Sequence, residues 1–185
     1  MPDTSRFLTA LGRVFGRFSG ARTSTISRGA PDAAATGAAV PAALLSPGQS
    51  GASATVEVDP ARLRDVRLTY APVHDGEPDP GEIVWTWVPY EERDGRGKDR
   101  PVVIVAASGR GDFLAVQLTS KAHDGDRDFL SLGTGAWDAS GRPSWVRVDR
   151  VFRVRTGGMR REAASLDAAR YALLTQALGD RYGWR

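Results

Sequence analysis

Arg100, Thr119, Ser120 and His123 are the side chains of this chain whose types and spacing suit chemistry on a phosphate group. A guanidinium offers a planar fork to two non-bridging oxygens, and a hydroxyl donates one further hydrogen bond to the same group. An imidazole titrates near neutrality and can take up a proton, so His123, a few residues beyond the hydroxyls, is a possible general base. Residues 82–88, 101–107 and 113–118 must position these groups, being short β-branched and aromatic runs separated by turn residues, which is the strand pattern. Arg100 precedes the second run, and Thr119 with Ser120 follows the third. Neighbouring strands would therefore bring a cation and two hydroxyls to one rim. Taken singly, an arginine before a strand-initial proline also suits a solvated edge, and a threonine at a strand end also suits a turn cap.

Composition bounds the rest. All five Trp and all four Tyr lie at or after Tyr70, so core-forming material is concentrated in the later part of the 185 residues. That part, of roughly 110 residues, suffices for one modest core. The net charge is +3, and all but two of the 25 cations are Arg, the side chain best suited to bidentate phosphate contact and base stacking. A polyanionic partner is favoured, although a GC-rich genome produces the same bias. Cysteine is absent, which removes disulfides and thiolate metal sites and makes cytoplasmic residence the simpler expectation. The two histidines, His74 and His123, lack metal-ligand spacing, so neither a metal nor a cofactor is expected. No apolar run approaches the ~20 residues of a membrane span. Arg6, Arg13 and Arg17 interrupt the only apolar stretch near the N-terminus, which spoils a secretory signal.

The organisation predicted is a basic amphipathic segment over residues 1–20, a disordered Ala/Gly/Ser-rich linker over 21–56, a connecting segment over 57–79 and a folded domain over 80–185. In the first segment Phe7, Leu8, Leu11, Val14, Phe15 and Phe18 share helical spacing, with the arginines on the other side. Such a helix suits weak contact with an anionic membrane, with RNA or with a partner, or loose docking on its own domain. The connector should hold a short helix around 60–66 and an extended piece at 66–70. Later strands are expected at 129–132, 144–148 and 151–154, with a loop holding Trp137 over 133–143. About six short antiparallel strands imply a small barrel or sandwich. A helix should start on Ser165 as N-cap, align Leu166, Ala169, Leu173, Leu174, Ala177 and Leu178, and stop at Gly179. Trp85 and Trp87 share one face of the first strand and suit core, interface or base stacking.

The ordered set Pro80-Gly-Glu-Ile-Val-Trp, a charged loop, Arg100-Pro-Val-Val-Ile-Val, then Leu118-Thr-Ser resembles the MazF/PemK/Kid family of toxin endoribonucleases, over about residues 79–180. The resemblance implies a mainly β fold, an SH3-like β-barrel of the PemK/CcdB kind with a C-terminal α-helix, here preceded by a low-complexity arm. It implies a homodimer, an acidic antitoxin as partner, and metal-independent cleavage of single-stranded RNA through 2′-hydroxyl attack to a 2′,3′-cyclic phosphate. The family's catalytic roles map onto Arg100 and Thr119, with Ser120 as a second candidate. Its loop over the RNA groove corresponds to residues 91–99. Arg93, Arg96, Lys98 and Lys121 are then the expected phosphate contacts, and Trp137 the expected stacking platform. The long N-terminal extension and the acidic residues of the loop depart from compact family members. They keep open a non-catalytic SH3-like module that binds nucleic acid or protein, and a toxin that poisons a topoisomerase.

Overall fold

The computed structural model describes residues 45–185 apart from His74 and Arg110. The basic segment 1–20 and the linker as far as residue 44 lie outside the described residues. The strands are β1 (Val56–Val58), β2 (Glu82–Pro89), β3 (Gly97–Gly109), β4 (Asp112–Thr119), β5 (Phe129–Gly133), β6 (Ser144–Arg147), β7 (Val151–Arg155) and β8 (Arg160–Ser165), followed by helix α1 (Ala168–Tyr182). All their pairings are antiparallel, in the order β1-β7-β4-β3-β2-β8, with β6 joined to both β4 and β5.

The fold is mainly β with a C-terminal helix, as expected, but the strand ladder does not close. It runs as an open path with a branch, so the barrel exists only in a loose sense. The branch lies on β4, where Asp112–Ala115 pair with β7 while Leu118 and Thr119 pair with Val146 and Trp145 of β6. Strand β3 explains its own sequence. Val103 and Val105 belong to one apolar core and Val102 and Ile104 to the other, so a strand buried on both faces reads as an unbroken apolar run. Helix α1 packs Tyr171, Leu174 and Leu178 into the first core. Phe113, Phe152 and Val154 fill the second.

Four sequence readings change. The helix starts two residues later than expected: Ser165 ends β8, and the N-cap is Asp167, whose side chain accepts from the Arg170 N–H at 2.9 Å. It also runs through Gly179 and stops at Gly183, which adopts a left-handed φ of 72°. The buried stripe follows from the shifted frame, so Tyr171 replaces Ala169 and Leu173 is left 52% exposed. Strand β8 was not predicted because its Arg-Arg-Glu-Ala-Ala-Ser sequence has no strand alternation. It pairs with β2, where Arg161 holds the buried Glu82 carboxylate at 2.8 and 2.9 Å.

The fourth change concerns residues assigned to linker and connector. Pro47 accepts a backbone bond from Trp87 at 2.9 Å, β1 pairs with β7, and the Thr55 and Thr86 hydroxyls meet at 2.6 Å beneath the sheet. Gly48 lies so close to both hydroxyls that an added Cβ would fall 2.3 Å from Thr86. The expected helix at 60–66 is a single 3₁₀ turn, Pro60–Arg62, capped by Asp59. Residues 66–68 form no strand, yet the Val66 carbonyl and the Leu68 N–H both bond Arg185.

Candidate functional site

The β3–β4 register sets the geometry. Val102 faces Gln117, and extending that antiparallel pairing by two residues sets Arg100 opposite Thr119. Side chains alternate along strands, so Arg100, Gln117 and Thr119 issue from one face, continuous with Val102 and the second core. Where apolar packing ends, that face turns polar. Arg100 is half-buried, and its side chain makes no hydrogen bond or ion pair among the described residues. Thr119 accepts from the Lys121 N–H at 3.1 Å, which fixes its hydroxyl against the turn and leaves its proton free to donate.

These residues border a cleft of about 400 Å³ lined also by Trp85, Lys98, Ser120, Trp137 and Arg142. Arg100 borders a second hollow of about 520 Å³ as well, on the side of Tyr90, Gln117, Arg147 and Arg150. The structure therefore brings Arg100, Thr119, Ser120, Lys98 and Trp137 together. Trp137 is held in place, its indole N–H donating to Ser144 Oγ at 3.0 Å and its ring lying 5.7 Å from the Arg170 guanidinium. Lys121 follows Ser120 directly and is exposed.

Other predicted groups lie elsewhere. His123 stacks flat on Phe129, with centroids 3.6 Å apart, and does not line the cleft. Arg93 turns toward Glu57 at 3.5 Å, and Arg96 pairs with Asp94 at 2.6 Å. Within the loop Asp94 thus engages Arg96, whereas Glu91 bonds Arg147 and Asp99 bonds Arg160. The loop is also shorter than expected, since Gly97, Lys98 and Asp99 belong to β3.

Of the three roles open to Trp85, base stacking fits its place, half-exposed in the cleft with the Arg160 guanidinium 5.5 Å from its ring. Other residues at the site had no sequence reading. Arg142 pairs with Asp138 at 3.0 Å on the opposite wall. Beside the second hollow, Arg147 bonds Asp149 at 2.6 and 2.9 Å and also reaches Glu91. Those contacts with Asp149 hold the Arg147 guanidinium above its ordinary pKa against the pull of burial, with Glu91 adding to the effect. Burial raises the Asp149 carboxyl, but the Arg147 bonds and charge outweigh it and leave the group below its usual range. Arg150 is buried, reaching Glu57 at 2.6 Å and the Pro89 carbonyl at 3.0 Å. Arginines in and just after β6 were the signal available for Arg147 and Arg150.

The profile of the PemK-like, MazF-like toxins of type II toxin-antitoxin systems matches residues 79–180. The chain belongs to this family. That match spans the cleft-forming strands, both expected catalytic positions and most of α1. Among solved structures, an endoribonuclease in complex with its cognate antitoxin from a mycobacterial species is 18% identical, with a TM-score of 0.45, covering 58% of this chain and 96% of that one. A MazE-MazF structure from Deinococcus radiodurans is 21% identical, with a TM-score of 0.44, over 57% of this chain and 96% of that one. MazF alone from the same organism is 23% identical, with a TM-score of 0.43, over 57% and 96%. No curated protein sequence matches significantly. Among the described residues no helix is long and apolar enough to cross a membrane.

Proposed function

We propose that this chain is the toxin of a toxin-antitoxin pair and acts as a sequence-specific, metal-independent endoribonuclease on single-stranded RNA. The observation that carries this reading is Arg100, a half-buried guanidinium without a protein partner among the described residues, opposite the Thr119 hydroxyl at an open cleft. Membership in a family of MazF-like toxins supports it.

The ribose 2′-oxygen attacks the neighbouring phosphorus, giving its proton to solvent, while the bond to the 5′-oxygen breaks. Charge builds on the non-bridging oxygens, to which Arg100 offers two N–H groups. Thr119 donates one further hydrogen bond to that phosphate, and Ser120 lies at the same rim. Solvent protonates the departing 5′-oxygen, leaving a 2′,3′-cyclic phosphate and a 5′-hydroxyl. Lys98 and Lys121 attract flanking phosphates, and the exposed edges of Trp85 and Trp137 suit unpaired bases. The basic chain suits an acidic antitoxin, which would act in the cytoplasm. Leu173, exposed on α1, suits a homodimer contact.

Incubating the purified protein with a long RNA in EDTA tests the reading. Discrete cleavage with 2′,3′-cyclic phosphate ends is expected. Products with 5′-phosphates, or activity lost to the chelator, would overturn it.

A further inference from the structure

The hollow on the far side of Arg100 contains a polar group with an unmet requirement. Gln117 lines it and is 7% exposed; its Oε1 is buried without a hydrogen-bond partner. Its Nε2 makes no hydrogen bond among the described residues either. An amide oxygen buried in this way costs stability unless something completes it, because its bonds to water are lost and not replaced. Arg150, on the same hollow, has a buried Nε that likewise lacks a partner. The space of about 520 Å³ accommodates a flat heterocycle, and the Tyr90 ring at its edge offers a surface for stacking.

We propose that Gln117 is a specificity-determining residue that reads an adenine next to the scissile phosphate. The inference rests on the ribonuclease reading for the position of that phosphate at Arg100, which borders both hollows. A glutamine amide pairs in two places with adenine, accepting from N6–H and donating to N7, and either orientation of the amide presents one donor and one acceptor. Gln117 and Arg100 lie on one face of adjacent strands, so a base seated on the amide belongs to a nucleotide flanking the phosphate held by the guanidinium.

The test uses full-length protein and three single-stranded 2′-O-methyl hexanucleotides that cannot be cleaved, one all adenine, one all uracil and one all unsubstituted purine, which lacks N6. The wild type should bind the adenine probe roughly tenfold more tightly than either of the others. Gln117→Leu should bring the three within about twofold of one another while leaving the uracil affinity unchanged. The purine probe keeps the test decisive if that variant fails to fold, since it removes the same hydrogen bond from the ligand side. Equal affinity of the wild type for adenine and purine, or an adenine preference that survives Gln117→Leu, overturns the proposal. Adenine-selective binding without RNA cleavage would instead sink the ribonuclease reading and leave the base site standing, whereas cleavage without adenine preference would do the reverse.

Discussion

Arg100→Ala is expected to lower RNA cleavage by at least about 10²-fold, the usual effect of removing a donor aimed at developing charge. Its melting temperature should stay unchanged, because the guanidinium bonds nothing among the described residues. Near-normal cleavage by that variant would remove Arg100 from the site. Thr119→Ala should cost less, about tenfold, since a neutral hydrogen bond is weaker than a charge-assisted one. Thr119→Ser should restore most of the loss by keeping the oxygen that accepts from Lys121. His123→Ala distinguishes an idle imidazole from a general base. With the ring lying on Phe129 and outside the cleft, less than a tenfold loss is expected, against the 10²- to 10⁴-fold that general-base catalysis supplies. Arg100 and Thr119 were legible as candidates because both stand in a recognisable order of motifs, Thr119 at the end of β4, although Arg100 lies within β3 rather than before it. Gln117 was not, since one polar residue inside Leu-Ala-Val-Gln-Leu looks like ordinary strand alternation until the register aligns it with Arg100.

At the level of elements, charged pairs tie the strands that frame the second hollow. Burial raises the Glu57 carboxyl, but the hydrogen bond and charge of Arg150, backed by Arg93, leave it below the usual carboxylate range. Asp149 is likewise held below its usual range. Both folded-state values are depressed, so their stabilisation is fully present above about pH 5 and is lost as the pH falls through the lowered values. Unfolding followed by near-ultraviolet circular dichroism should show the wild type losing stability below pH 4, with a shallower slope in Asp149→Asn. Equal slopes would mean that the Arg147–Asp149 pair carries no such linkage. Helix α1 offers a second check. Asp167→Ala and Gly183→Ala should each cost about 1 kcal/mol in chemical denaturation, through the lost N-cap bond and the left-handed C-terminal position respectively. The helix itself was legible from its leucines. Its frame was not, because Ser165 and Asp167 are both competent caps and only the pairing of β8 with β2 excludes the first.

For the molecule as a whole, the folded body begins before the strand run that revealed it. A chain starting at Leu68 loses β1, the Thr55–Thr86 hydroxyl contact and the backbone bond from Trp87 to Pro47, so it should melt well below the full-length protein or fail to fold. A chain starting at Leu45 keeps all three and should melt with the full-length protein. Equal melting of both truncations would show that residues 45–67 add no stability. That region reads as linker because its anchors are small residues, Pro47, Gly48 and Thr55, which lack an apolar signature. Sedimentation velocity should find a dimer that Leu173→Glu dissociates; a wild-type monomer at every concentration would exclude that contact. The split allegiance of β4 has a kinetic consequence. Its last two residues pair with β6, while its first half is bonded into the main sheet through β7 and its middle through β3. The Thr119 end can therefore unzip along with the β5–β6 hairpin, taking the hydroxyl away from the guanidinium without global unfolding. Native-state hydrogen exchange should show the amides at the β4–β6 ladder opening together, at lower free energy than those of Val102–Val105, and a denaturant too dilute to unfold the protein should slow turnover in step with that opening.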